Sequence, residues 1–181
     1  MKFWIGLVLF LLSSSNYILA QQFTAQDGKV EFRSKAPLNE FTGVSEQLNG
    51  LVDLKENVLD FYVDLNTLKT GIALRDKHMR ENYLETEKFP FAEFTGKLDR
   101  IPALSQEWTT VTATGNFKIH GISKPISVQG KLRQTPSGIL ELSGSFTVRL
   151  SDYQIDIPKL VFYELAEEQA VSLNLQLKPK R

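Results

Sequence analysis

Strict alternation of apolar and polar side chains, repeated along most of the chain, restricts the available folds more than any other feature. In "TTVTATGNFKIHG" Val111, Ala113, Gly115, Phe117 and Ile119 fall on one face, with Thr110, Thr112, Thr114, Asn116, Lys118 and His120 on the other. "GILELSGSFTVRL" repeats the pattern with Leu140, Leu142, Gly144, Phe146, Val148 and Leu150. Leu59, Phe61, Val63 and Leu65 form a third such row, Ile126, Val128, Gly130 and Leu132 a fourth, and Val171, Leu173, Leu175 and Leu177 a fifth. Period two is the signature of a strand with one buried face. Shorter runs at Val30–Ser34, Leu48–Leu54 and Glu93–Leu98 bring the expected total to about eight strands. Glu56-Asn57, Ser123-Lys124-Pro125 and Pro136-Ser137-Gly138 are the expected turns between them.

Strands of this kind must all hide one face. A sheet closed on itself does so and also removes exposed edges, so the expected fold is all-β, a closed antiparallel barrel. A two-sheet sandwich satisfies the same alternation and is the alternative. Five inward rows carry a glycine among large apolar residues: Gly50, Gly96, Gly115, Gly130 and Gly144. Glycine within a strand marks a kink or a close approach. Here it reads equally as barrel corners or as volume left for a guest. Asn49-Gly50 has hairpin-turn chemistry, but the Leu48, Val52, Leu54 alternation favours a strand.

The first twenty residues are a different material. Lys2 precedes an apolar run from Phe3 to Leu12, interrupted by Gly6, and Ser13 to Asn16 end it before Ala20. This reads as a signal peptide (residues 1–20) cleaved after Ala20. A membrane span needs roughly 20 apolar residues, about twice this run, so stable insertion of the mature chain is not expected. With no cysteine there is neither a disulfide nor a thiol to carry a lipid anchor. Residues 21–181 are then expected to be one domain in the periplasm or secreted medium. The 21 basic and 21 acidic side chains of the full chain cancel, leaving no electrostatic footprint for nucleic acid.

One stretch breaks the alternation. Ile72 to Leu84 has helical spacing, with Ile72, Met79 and Tyr83 on one stripe and Asp76 and Arg80 as an i,i+4 pair on the surface. A short helix joining two strands is expected, its stripe on the barrel and most charges toward water. The cluster Arg75, Asp76, Lys77, His78 and Arg80 invites a catalytic reading, which the spacing does not support. Positions two apart on a helix diverge by about 200°, so Asp76 and His78 do not converge on a metal. His120, the only other histidine, falls on the polar face of a strand. Nucleophile elbows and phosphate loops are absent. No catalytic residue, metal or cofactor is expected. Arg75, Asp76 and His78 should instead pin the helix to the barrel end, or Arg75 or His78 should meet the polar head of a bound lipid.

Four segments, in order, resemble the YceI-like family: "TGIALRDKHM", "EKFPFAEFTGKL", "GNFKIHGISKPISV", and "SDYQIDIP" followed by "AVSLNLQLK". The likeness runs from about Gly28 to Lys178, nearly the whole chain after the leader. Two segments depart from the family pattern: "DGKVEFRS" lacks the His-Ser of the opening strand, and "MRENYLETEKF" replaces a Phe-Phe-Asp run. The resemblance implies a lipocalin-like barrel binding a long-chain apolar lipid of isoprenoid type. The expected lining is Phe61, Val63, Phe94, Val111, Phe117, Val128, Leu142, Phe146 and Leu173, with Gly96, Gly115, Gly130 and Gly144 giving room. Arg75, His78, Met79 and Tyr83 are the expected rim and head-group contacts. A homodimer sharing one long ligand stays open, and the rival reading is a protein-interaction module with a fully packed barrel.

Overall fold

The computed structural model of the chain describes residues 22–157 and 165–180. The leader expected at residues 1–20 lies outside them. Eight strands close into one antiparallel barrel in sequence order: β1 (Gln22–Lys35), β2 (Glu40–Asp53), β3 (Val58–Asp64), β4 (Phe91–Leu98), β5 (Thr109–Ile119), β6 (Ile122–Gln134), β7 (Leu140–Arg149) and β8 (Glu168–Pro179). β1 closes the ring by pairing with β8 from Phe23 opposite Pro179 to Ser34 opposite Gln169. The sandwich alternative is thereby set aside. No helix among the described residues is long and apolar enough to cross a membrane.

The first two strands are much longer than their hydrophobic runs suggested. Main-chain pairing carries β1 and β2 through polar residues, with shifts in register around Gly28 where β1 bends. Asn49-Gly50 is strand, Gly50 pairing with Ala25 and with Phe61. The β5–β6 turn is not at Ser123-Lys124-Pro125, which lies within β6. It is the two-residue loop His120-Gly121, both with positive φ (53° and 76°), the twist-matched geometry of a tight hairpin. His120 therefore leaves the strand face on which alternation put it.

The antiparallel order sends the β1–β2 turn, the long β3–β4 and β7–β8 connections and the His120-Gly121 turn to one end of the barrel. The start of β1, the end of β8 and the other three connections lie at the opposite end. That second end is a packed floor: Phe23, Val52, Leu98, Leu132, Leu140 and Leu177 are each 3% exposed or less. Asn57 helps close it, exchanging two hydrogen bonds with the Leu98 main chain at 2.9 and 3.0 Å.

The glycines divide by structure. Gly96 and Gly115 sit directly opposite each other on β4 and β5. A Cβ on Gly115 would lie 2.4 Å from the Thr95 carbonyl oxygen and 2.9 Å from the Phe94 ring, and a Cβ on Gly96 would meet the Thr114 carbonyl at 2.6 Å. This pair allows two strands to approach at a bend, and Phe94 covers it. Gly144 differs, since its Cβ would meet only the Leu173 and Val128 side chains, at 3.5 Å. Gly115→Ala should therefore lower the unfolding free energy by about 1–3 kcal/mol or more. Gly144→Ala should be neutral or stabilising by up to about 1 kcal/mol. Urea unfolding of the two variants beside the parent checks both.

Candidate functional site: an apolar lumen with one mouth

Above the floor the barrel is not filled. A cavity of about 480 Å³ runs up its interior, within the usual size of small-molecule sites. The inward rows form its wall: Phe61 and Val63 from β3, Phe94 from β4, Val111 and Phe117 from β5, Val128 and Gly130 from β6, Leu142, Gly144 and Phe146 from β7, and Leu173 from β8. Gly96 and Gly115 do not border it, because the Phe94 ring lies against both. Val30, Phe32, Phe94, Leu142, Phe146, Val171 and Leu173 are only partly buried, and all of them border the cavity. Most of them stand on β1, β7 and β8, whereas Leu65, Leu150 and Ile155 toward the loop-bearing end are 2–7% exposed, so the space lies against one side of the ring. A fully packed interior is not what this barrel has.

The mouth lies at the loop-bearing end. Asn39 and Phe41 border it from the β1–β2 side, Ile72, Leu74, Arg75 and His78 from the helix region, and Leu165 from beyond β7. Helix α1 spans Ala73–His78 and continues as a π turn over Met79–Tyr83, so the expected single helix is two unequal pieces. Met79 is buried, Tyr83 is partly buried against the core, and Ile72 is 53% exposed at the mouth; all three border the lumen.

Asp76 corrects the expectation of a surface ion pair, being 6% exposed. Its carboxylate accepts hydrogen bonds from the Thr70 N–H (2.8 Å) and hydroxyl. Arg75 donates to the same Thr70, from Nε to Oγ1 at 2.9 Å and from Nη2 to the carbonyl at 3.0 Å. The guanidinium also stacks 4.2 Å from the Phe41 ring centre on β2. Lys69 and Val44 exchange two main-chain hydrogen bonds of 2.9 Å. The helix is thus held to the β1–β2 wall through Lys69, Thr70, Arg75 and Asp76, with His78 at the mouth but outside these bonds.

His120 is the other tie. Nδ1 is 3.0 Å from the Tyr153 carbonyl, Nε2 is 3.0 Å from Glu85 Oε2, and the ring meets Phe89 edge-on at 4.8 Å. It joins the helix-bearing connection to the β5–β6 turn and to the turn at Leu150–Tyr153. The Glu85 carboxyl is lowered below its ordinary value by the hydrogen bond from Lys88, then by that from His120. Sequence spacing gave no sign of this contact, since the partners stand 33 and 35 residues away. Among the described residues no group of three His, Cys, Asp or Glu could hold a metal ion.

A closed eight-stranded barrel with a greasy interior is a container of the lipocalin-like class, suited to apolar small molecules. The YceI-like domain profile matches residues 21–178, and the chain belongs to that family. Protein YceI of Salmonella arizonae and of Salmonella newport are each 34% identical over 71 residues, 39% of this chain and 35% of theirs. The match therefore spans about a third of those relatives' length. Among solved structures, a polyisoprenoid-binding domain from Saccharophagus degradans, implicated in plant cell wall breakdown, superposes with a TM-score of 0.77. It is 18% identical, over 89% of this chain and 99% of that one. BcnA of Burkholderia cenocepacia gives 0.66 at 13% identity, over 83% and 96%.

The helix mooring has a measurable acid dependence. Burial opposes ionisation of Asp76, but the Thr70 hydroxyl and N–H bonds, with Lys69 and Arg80, outweigh it and hold the carboxyl below its ordinary 3.8. A depressed carboxyl contributes stability above its unfolded-state value and loses it as pH falls through the folded-state value. Asp76→Ala, which leaves the Thr70 donors unpaired, should cost about 1–3 kcal/mol. In urea titrations that gap should be constant above about pH 5 and should narrow as pH falls below the ordinary carboxylate range.

Proposed function

We propose that this protein is exported after cleavage near Ala20 and that the mature barrel carries a long-chain apolar lipid of isoprenoid type without altering it. The observation behind this reading is the lumen: about 480 Å³, walled by the inward apolar rows and bordered at the loop-bearing end by Asn39, Phe41, Ile72 and His78. Each buried CH₂ contributes roughly 0.8 kcal/mol. A guest burying about ten carbons thus gains on the order of 8 kcal/mol before ordering costs are subtracted. Affinity of that size needs no convergent polar groups, and an under-filled apolar interior is sufficient. The Saccharophagus neighbour, a polyisoprenoid-binding domain on the same fold, supports the ligand class. Phe61, Val63, Phe94, Val111, Phe117, Val128, Leu142, Phe146 and Leu173 are proposed to touch the chain, with Gly144 giving it room and Gly130 bordering the lumen where its strand approaches the Ser143 carbonyl. Arg75, His78, Met79 and Tyr83 are proposed to stand nearest its head.

Lipid extraction and mass spectrometry of protein purified from its native host test the reading. A stoichiometric long-chain lipid is expected, and its repeated absence, with no uptake of added prenols, would overturn it. Native mass spectrometry of the same sample gives the number of chains per lipid, and so whether one barrel or a homodimer holds it. Gly144→Leu should fill the lumen between Leu173 and Val128 and weaken prenol uptake by at least about tenfold, since occlusion of a few methylene sites is enough. Its urea midpoint should stay close to the parent's.

A further inference from the structure

Gly71, Ile72, Ala73 and Leu74 are consecutive exposed residues without a polar side chain among them. Ile72 is 53% and Leu74 63% exposed, and at the β1–β2 turn Leu38 reaches 76%. Soluble proteins avoid exposed apolar runs of about three or four residues unless they serve a contact. Local chemistry here also runs against stability. Ile72 is the N-cap of α1 and gives its first turn no side-chain hydrogen bond, where Ser, Thr, Asp or Asn would supply one. Gly71 has φ of 82°, and a Cβ on it would meet nothing within 4 Å, so the tip stands clear of the rest of the chain. Both tips belong to the loop-bearing end and are held to each other's segments. The Arg75 guanidinium lies over Phe41, and Lys69 pairs with Val44.

Position and charge say what covers them. Ile72 and Leu74 border the lumen while facing water, so the exposed apolar surface is continuous with the lining inside. Lys35, Lys69 and Lys77 are exposed in the same two segments. The acids of those segments are engaged: Glu40 with Arg33 at 2.7 Å, Asp76 beneath Thr70, and Glu81 at 4.0 Å from Lys77. A second copy set mouth to mouth would bring these lysines against their own counterparts. A bilayer with anionic headgroups matches both features, the apolar tips entering the acyl boundary and the lysines lying among the phosphates. We propose that Leu38, Ile72 and Leu74 dock the mouth reversibly on an anionic bilayer surface, so that a lipid passes between membrane and lumen along one apolar path. This rests on the reading of the lumen as a lipid site and adds the partner with which the lipid is exchanged.

The test uses the mature chain with vesicles of phosphatidylcholine alone and of equimolar phosphatidylcholine and phosphatidylglycerol, and it needs no guest in the lumen. Flotation should show binding to the mixed vesicles and weaker binding to the neutral ones. The double variant Ile72→Ser, Leu74→Ser should bind mixed vesicles at least about tenfold more weakly, since two apolar side chains no longer leave water. The urea midpoint of Ile72→Ser should equal or exceed the parent's, because serine supplies the missing cap, which separates lost docking from lost folding. Leu74→Trp should add fluorescence that lipids brominated in their acyl chains quench. Trp108, which precedes β5 at the floor end, should stay unquenched in the parent. Prenol uptake without vesicle binding overturns the docking surface and leaves the lipid site standing. Binding that the double variant keeps, or that brings no acyl-chain quenching, overturns it as well. So does a dimer, seen by sedimentation, that the double variant dissociates, since a second copy then covers the tips. Vesicle binding by a chain that takes up no prenol removes the lipid site, and the inference with it.

Discussion

The ladder between β1 and β8 is the contact on which the rest of the molecule depends. Each strand is apolar on one side only, so an open eight-stranded sheet would present a broad greasy face to water and two unpaired edges. Pairing Phe23 through Ser34 with Pro179 through Gln169 turns that face inward and joins the two edges to each other. The lumen is a consequence of this closure. Eight strands make a ring whose interior side chains can just fill it or leave space for one small ligand, and side-chain size decides between the two.

Filling is uneven within the ring. At the floor, Phe23, Val52, Leu98, Leu132, Leu140 and Leu177 meet almost without residual exposure. On the side formed by β6, β7 and β8, Val128, Leu142, Phe146, Val171 and Leu173 border the open space, and Gly130 and Gly144 stand opposite each other on neighbouring strands. The packed base, with Leu65, Leu150 and Ile155 near the other end, supplies cohesion to a protein with no disulfide, and the open space against β7 and β8 supplies capacity. Placing the two on different parts of the wall lets a barrel of this length be stable and hollow at once.

The mouth is arranged by polar contacts of opposite character to the lumen. Thr70, Arg75 and Asp76 share hydrogen bonds at the foot of α1, and His120 bridges Glu85 and Tyr153 on the other side. Both groups hold loops around an opening that main-chain pairing alone would leave unbounded. The charged cluster around α1 thus acts chiefly as a mooring. Arg75 and Asp76 belong to it, Arg80 adds to the charge around Asp76, and His78 is left facing the entrance.

The sequence by itself determined the strand pattern, the inward rows and the break at α1, because period-two alternation and its interruption are local properties of the chain, whereas a barrel and a sandwich satisfied that pattern equally. It could also name Phe61, Phe117, Leu142 and Leu173 as interior, since their side follows from their phase. It misplaced the β5–β6 turn, because Ser-Lys-Pro has stronger local turn chemistry than His-Gly, and the cross-strand register outweighed it. Only the tertiary structure decided that Gly115 is a close approach while Gly144 is room, that Asp76 is buried under Thr70, and that His120 bridges Glu85 and Tyr153. Each of these depends on which atom of a distant segment arrives opposite a given position, and that is fixed by ring closure and register, neither of which is a property of any local stretch.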